Sequence, residues 1–376
     1  MLPYFVWTNT AMAHLLIAII TFTVSVKYLF LSNRLWNIQT VVFFIACNLF
    51  IFFGGTTYSG FSLYPVLPIL FILLPDSMKI DVFTSFRRIL SIILFLGLIT
   101  YFLRFIIELP WFSVQPLNEL RKETYSVYLF DISLPRRILP RFFSVFDEPG
   151  LLGTVCALFI SYKRLELKTF SDIIIILSGL VTFSLAFYVV LILNILFNAG
   201  TKVRILFVVM GLYVFISQGQ VFEKYLSKKL HIPEGRITSL GRTHPYFDRN
   251  YESFLEIGGN ELIFGRGPMA EILDDPNNAG GSSYKYLIYR HGVLGVFLVV
   301  LFFAFLTLKV AFSRQGLFYL LVFLALAYQR TNVFMLFYIV IFIGGLLSIS
   351  RKKFEKGILQ SLEKERYKLS HSQITY

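Results

Sequence analysis

The sequence predicts an all-α polytopic membrane protein with about 11 transmembrane helices, forming a single transmembrane domain over 1–376. Three observations predict it. Hydrophobic residues make up 56% of the chain and charged residues only 15%, too little charge to cover the surface of a soluble protein of this length. The apolar runs are continuous and do not alternate, which excludes a membrane β-barrel. Every second connection between runs is basic, as expected of loops that stay on the cytoplasmic side.

The runs fall near 11–31, 37–54, 61–75, 88–109, 149–163, 171–184, 185–199, 205–218, 284–312, 316–328 and 333–350. Several are shorter than the roughly 20 residues of a straight span. The stretch 171–199 reads as one long tilted helix or as two short ones broken near Thr182-Phe183-Ser184. Two helices make the parity work, because one would put Lys202 and Arg204 outside. The other basic connections hold Lys27 and Arg34, Lys79, Arg87 and Arg88, Lys163, Arg164 and Lys168, and Lys309 and Arg314. The N-terminus is then periplasmic and the C-terminus cytoplasmic. The tail, 351–376, mixes Lys and Glu and reads as a short solvated helix.

The first run is not expected to be a cleaved signal, since Met1–His14 carries no Lys or Arg. Cys47 and Cys156 both sit inside apolar runs, so neither a disulfide framework nor a zinc site is expected. The net charge of +13 is accounted for by membrane orientation and contact with anionic lipid. No motif for binding nucleic acid is present.

Two long polar segments fall outside, at 110–148 and 218–283. Irregular polar backbone cannot face lipid, because its N–H and C=O groups would go unpaired. The second segment, dense in Arg, Asp, Glu, Asn and Gly, is the expected seat of chemistry.

The first segment ends in Arg141-Phe142-Phe143-Ser144-Val145-Phe146-Asp147-Glu148-Pro149-Gly150. Pro149 suits the first helical position. Asp147 or Glu148 then serves as a helix cap, or Glu148 is a carboxylate, backed by Arg136, Arg137 and Arg141, able to take a proton from a sugar hydroxyl. In the second segment, Pro245 and the pair Gly258-Gly259 bracket a short helix. Phe247, Tyr251, Phe254 and Leu255 are placed on one face of it. Such a helix lies on the bilayer with its arginines on lipid phosphate. Alternatively Arg242 and Arg249 hold a substrate diphosphate, which a guanidinium fork matches. Arg236, His244 and Asp248 stand close by in sequence.

Asn260 to Pro268 contains Gly265-Arg266-Gly267, whose glycines allow tight turns and close approach of a ligand. No strand–turn–helix unit surrounds them, so this is not a nucleotide fingerprint. Asp274-Asp275-Pro276-Asn277-Asn278 reads as a surface turn rather than a cation site. After Ser282, Ser283 and Tyr284, the last run opens with Lys285, Arg290 and His291, ionisable groups expected to face a polar cavity. Anchoring at the interface by Tyr284, Tyr286 and Tyr289 is the competing explanation. Gly292 and Gly295 are assigned to helix packing.

These pieces, in this order, resemble the O-antigen polymerase (Wzy) family and, more distantly, the O-antigen ligases. The likeness rests on Phe-x-Ser-x-Phe-x-Glu-Pro-Gly, Thr182-Phe183-Ser184, Ile263-Phe264-Gly265-Arg266-Gly267, Ser282-Ser283-Tyr284 and Gly292-Val293-Leu294-Gly295, and covers roughly 140–300. It implies a GT-C-like, metal-independent glycosyltransferase in the bacterial inner membrane that uses no cofactor and no nucleotide sugar. The implied substrates are undecaprenyl-diphosphate-linked glycans. The growing chain would leave its lipid diphosphate and join the terminal sugar of an incoming repeat unit at the periplasmic face.

On this reading Glu148 and His244 are the catalytic candidates, and Arg242, Arg249, Arg266 and Arg141 bind diphosphate. Arg236, Asp248, Ser282, Ser283, Tyr284 and Arg290 bind substrate. Membrane lipid and a chain-length regulator protein are the expected partners. Two departures stand out. Ser282-Ser283 replaces the His-Asn-type pair of the ligases, and Leu185-Ala186 replaces the basic residue that usually follows Thr-x-Ser. A transporter or flippase of lipid-linked glycans would instead predict inverted repeats and charges at mid-membrane.

Overall fold

A computed structural model describes residues 35–53, 66–114, 125–133, 141–146, 148–166, 168–198, 200–202, 204–205, 245–267, 284–327 and 336–372. The chain is mostly helical. The helices are α1 Leu35–Phe53, α2 Val66–Leu73, α3 Asp76–Leu103, α4 Pro149–Lys163, α5 Phe170–Val181 and α6 Leu185–Asn198. They continue as α7 Pro245–Ile257, α8 Gly259–Phe264, α9 Tyr284–Val310, α10 Arg314–Ala327 and α11 Leu336–Ser372. α3 and α9 are long and apolar enough to cross a membrane; α4, α5, α6 and α10 are shorter apolar helices.

These helices are not the eleven spans read from the sequence. α7 and α8 belong to the polar segment, and the runs 11–31 and most of 205–218 lie outside the described residues. The all-α expectation needs one addition. Within 110–148, β1 Phe112–Val114, β2 Tyr125–Val127 and β3 Ile132–Ser133 form a small antiparallel sheet in the order β1-β2-β3. Phe112 pairs with Val127, and Ser126 pairs with Ser133.

α4 is the hub. Of its fifteen residues only Gly150 and Lys163 escape burial. α5, α6, α10 and α11 pack around it, while α3 packs on α5 and α11. The outer helices are apolar on both sides. α3 buries Phe83, Leu90, Leu94 and Leu98 yet exposes Ile89, Ile92, Phe95 and Ile99. α9 buries Val299, Phe302 and Leu306 yet exposes Phe297, Val300 and Leu301. Water does not favour apolar rows of this length on an outer surface.

The basic connections converge at one end of the bundle. Asp172, in the first turn of α5, accepts from Arg87 of α3, from Lys163 at 2.9 Å and from the Thr169 N–H at 3.0 Å. Arg164 donates to Gln315 of α10 at 2.8 Å, and Lys352 of α11 reaches Glu166 at 3.2 Å. A small cavity lies here beside Lys163 and Asp172, away from the polar segments. From Arg87 to Arg104 along α3 is roughly 25 Å, close to a bilayer core.

Three other boundaries differ from the sequence reading. α3 starts at Asp76, twelve residues before the expected 88, because Asp76 complements the positive helix end and pairs with Lys79 at 3.1 Å. α9 is not uniform: Gly292, with φ 64° and ψ −179°, breaks it. The tail is no separate helix, since α11 runs unbroken to Ser372.

Candidate functional site

The end opposite the basic cluster holds two polar assemblies, each built around a break in a helix. The first is the tip of the α5–α6 hairpin. The sequence left open whether 171–199 is one helix or two; it is two, separated at Thr182-Phe183-Ser184 with Phe183 at φ 49°. A break strands carbonyls that a continuous helix would have satisfied. Here the arm 141–146 supplies the donors. The Phe142 N–H reaches Val181 O at 3.3 Å, Arg141 Nε donates to Thr182 O at 2.8 Å, and Arg141 Nη2 to Phe183 O at 3.1 Å. Tyr188 of α6 donates its hydroxyl to Leu180 O at 2.7 Å. Arg141, expected on a diphosphate, thus holds the hairpin tip.

Glu148 follows this arm at the N-cap of α4, half-buried and with extended backbone, and Pro149 takes the first helical turn as expected. The Glu148 carbonyl accepts from Leu151 and Leu152. Its side chain makes no capping hydrogen bond. The carboxylate is therefore placed at a positive helix end without closing it. Asp147 lies outside the described residues.

The second assembly joins α7, α8 and α9. Phe247, Tyr251 and Phe254 are buried against Tyr286 and Tyr289, with Phe247 stacked on Tyr286 at 3.8 Å between centroids. Leu255 does not join them and is exposed. At about 100° per residue it falls roughly 80° round the helix from Phe247. Tyr286 and Tyr289 therefore pack within the protein rather than anchoring it in an interface. Lys285 is buried too, paired with Asp248 at 2.6 Å and lying over the Tyr251 ring. A buried ammonium needs such a partner.

Arg266 donates Nε to Glu261 at 2.8 Å and Nη1 to the Tyr289 hydroxyl at 3.0 Å, with its guanidinium over the Tyr289 and Phe254 rings. The backbone alongside repairs the break in α9. The Arg266 N–H reaches Tyr289 O and the Gly267 N–H reaches Arg290 O, both at 2.8 Å. Gly265 permits a close approach to α9, at Arg290 and Gly292. Arg290 and Tyr284 are half-buried on α9, and Arg249 is exposed on α7. Arg236, Arg242, His244, Ser282 and Ser283 lie outside the described residues. Among the described residues no group of three His, Cys, Asp or Glu gathers to hold a metal.

Sequence reading missed one pair. Asp131, just before β3, is fully buried, with Oδ2 2.9 Å from Arg104 Nη1 at the end of α3. The contact is an ion pair without well-aligned hydrogen-bond geometry. Arg104 sits over the rings of Tyr101, Phe105 and Tyr128. Burial pushes the Asp131 carboxyl up to about 7, against the opposing pull of Arg104 and of the Ser144, Phe143 and Ile132 amides. The only sequence signal was a lone acid among apolar residues in Leu129-Phe130-Asp131-Ile132.

Comparison with protein-family models, with curated proteins and with solved structures finds no match.

Proposed function

We propose that this chain polymerises undecaprenyl-diphosphate-linked oligosaccharide repeat units into O-antigen or a similar surface polysaccharide. It would do so as a multi-pass GT-C-like glycosyltransferase of the bacterial inner membrane, with its site facing the periplasm. One observation carries the reading. The short motifs behind the resemblance to the O-antigen polymerase family meet in pairs. Phe142, which opens the Phe-x-Ser-x-Phe-x-Glu-Pro-Gly arm, bonds Val181, and Arg141 just before it bonds Thr182 and Phe183. Arg266 and Gly267 bond Tyr289 and Arg290, and Ile263 and Gly265 lie against Gly292. Apolar outer faces suit a lipid-borne substrate, and polar groups at one end suit its charged head.

In the proposed reaction an acceptor hydroxyl attacks the sugar carbon that bears the lipid diphosphate. The bond to the diphosphate breaks, and the leaving group departs with about two negative charges. Arg249, exposed on α7, and Arg242 would meet it. Glu148 takes the hydroxyl proton or holds the acceptor sugar, and His244 is the second candidate base. Arg141 and Arg266 act chiefly by holding the two helix breaks in place.

A transporter is the second reading, because broken helices also build transport sites. Transporter breaks sit near mid-membrane. Gly292 lies roughly 27 Å along α9 from its basic end at Val310, which is close to the opposite surface. The test is deletion of the gene followed by separation of lipid-linked and lipid A-linked glycans on a gel. Collapse of the ladder to a single repeat unit is expected. Retained lipid-linked polymer without transfer to lipid A indicates a ligase, and units stranded on the cytoplasmic leaflet indicate a transporter.

A further inference from the structure

We propose that Asp131 is a positioning residue: it holds the arm 141–146 against α3, and through the arm sets Glu148 beside the α5–α6 tip. The inference rests on the reading of Glu148 given under Proposed function. Its geometry stands apart from that reading.

Asp131 Oδ1 accepts the backbone N–H of Ser144 at 3.1 Å and of Phe143 at 3.4 Å, while Oδ2 faces Arg104. One carboxylate thus joins the end of α3, the small sheet and the arm. Ser144 is buried with φ 51°, a left-handed backbone that a serine adopts only when its surroundings impose it. The three parts meet over Gly97 of α3, where an added Cβ would come within 2.8 Å of Phe130 O and 2.9 Å of Ser144 Oγ. On one side of Ser144 the arm is bonded to the hairpin tip through Arg141 and Phe142. On the other, Phe146 turns back on Phe143 at 3.1 Å, and Glu148 opens α4 two residues later.

The titratable and charged groups facing Asp131 are Arg104 and Tyr101 from α3 and Tyr128 from the β2–β3 turn. With its carboxyl raised to about 7, Asp131 gains a proton as the outer pH falls below neutral. On a loosened arm the carboxyl would return toward its ordinary range, so the proton favours the held arm, and its loss as pH rises through neutral loosens the hold.

The test uses the full chain in membranes, with Cys47 and Cys156 replaced and a reporter cysteine at the half-buried Val145. A membrane-impermeant maleimide measures its labelling rate, and the glycan ladder is read from the same cells. Asp131→Ala and the isosteric Asp131→Asn should each raise labelling several-fold and shorten the ladder, at protein levels like those of the parent. The parent's labelling should fall as pH falls from 8 to 5.5, while that of Asp131→Asn stays flat. Unchanged labelling in both variants overturns the proposal, whatever the ladder does. Faster labelling with a full ladder leaves the hold on the arm standing and removes Glu148 from the reaction. If Asp131→Ala fails to accumulate, Asp131→Asn and the parent's pH profile still decide.

Discussion

Gly265 and Gly292 cross backbone to backbone. A Cβ on Gly265 would lie 2.3 Å from Arg290 O, and one on Gly292 would lie 2.1 Å from Ile263 O. Both glycines have positive φ. Left-handed backbone alone costs an L-residue roughly 1–2 kcal/mol, and the clash adds to it. Gly265→Ala and Gly292→Ala should therefore lower the unfolding midpoint in detergent more than Gly259→Ala. Gly259 has φ 62° but nothing within 4 Å of an added Cβ. Equal shifts at all three positions would mean that this crossing is not a structural requirement.

Arg141 and Arg249 should fail in different ways. Arg141 gives two charge-assisted hydrogen bonds to the hairpin tip, each contributing about 1.5–3 kcal/mol. Arg141→Ala should lose stability and ladder together, with partial recovery in Arg141→Lys, which cannot fork. Arg249 is exposed, so Arg249→Ala should change stability by no more than about 0.5 kcal/mol. Polymerisation in reconstituted vesicles should still fall about 30- to 1,000-fold. Arg249→Ala at the parent's rate would remove this residue from the diphosphate site.

Glu148→Gln keeps the shape at the head of α4 and removes the base. A positioned base speeds a reaction by roughly 100- to 10,000-fold, so the ladder should be lost at normal protein levels. The companion variant is His244→Ala. A normal ladder in Glu148→Gln with none in His244→Ala would assign the proton to His244. Normal ladders in both would leave the charge on the arginines as the source of catalysis.

Stability should carry the signature of Asp131. Its folded carboxyl titrates near 7, above the roughly 3.9 of an unfolded aspartate, so the folded state binds more protons between these values. The stabilisation is complete below about pH 4 and is lost as pH rises toward 7. The difference in thermal midpoint between parent and Asp131→Asn should fall across that window and level off above it. A flat difference would mean that Asp131 is ionised throughout.

Orientation can be tested at two described positions. Leu129 is 83% exposed in the turn before Asp131, and Lys353 is exposed on α11 beyond the ion pairs at the basic end. Leu129→Cys should react with an impermeant maleimide in intact spheroplasts, and Lys353→Cys only after permeabilisation. Labelling of both from one side would rule out the proposed placement of the site.

Local signals were legible, and distant pairings were not. Pro149 at the head of α4, the interruption at Thr182-Phe183-Ser184 and the bracketing of α7 by Pro245 and Gly258 all depend on residues within one turn of the feature. Arg104 and Asp131 meet only because β2 and β3 fold back over α3, and periodicity carries no record of such a return. The sheet was hidden for a related reason, since its strands span two or three residues each. The kink in α9 looked like packing glycine because Gly292 sits in an apolar run, and its cause is 27 positions earlier, at Gly265. Arg141 and Arg266 were grouped as diphosphate contacts by charge and by the family resemblance, neither of which records the protein acceptors that each also has.

The enclosure of α4 bears on what moves. A helix wrapped by four others cannot slide or rotate without unseating all of them, so its head is a stationary post. Helices with a free outer face, such as α3 and α9, lack that constraint, whereas the arm before α4 is tied down by Asp131 and Arg141. In a repetitive synthesis the carboxylate of Glu148 would stay put from cycle to cycle. On the proposed polymerase reading, the lipid-borne chain would have to shuttle past it, and product length would then be set by how long that chain lingers rather than by any travel of the post.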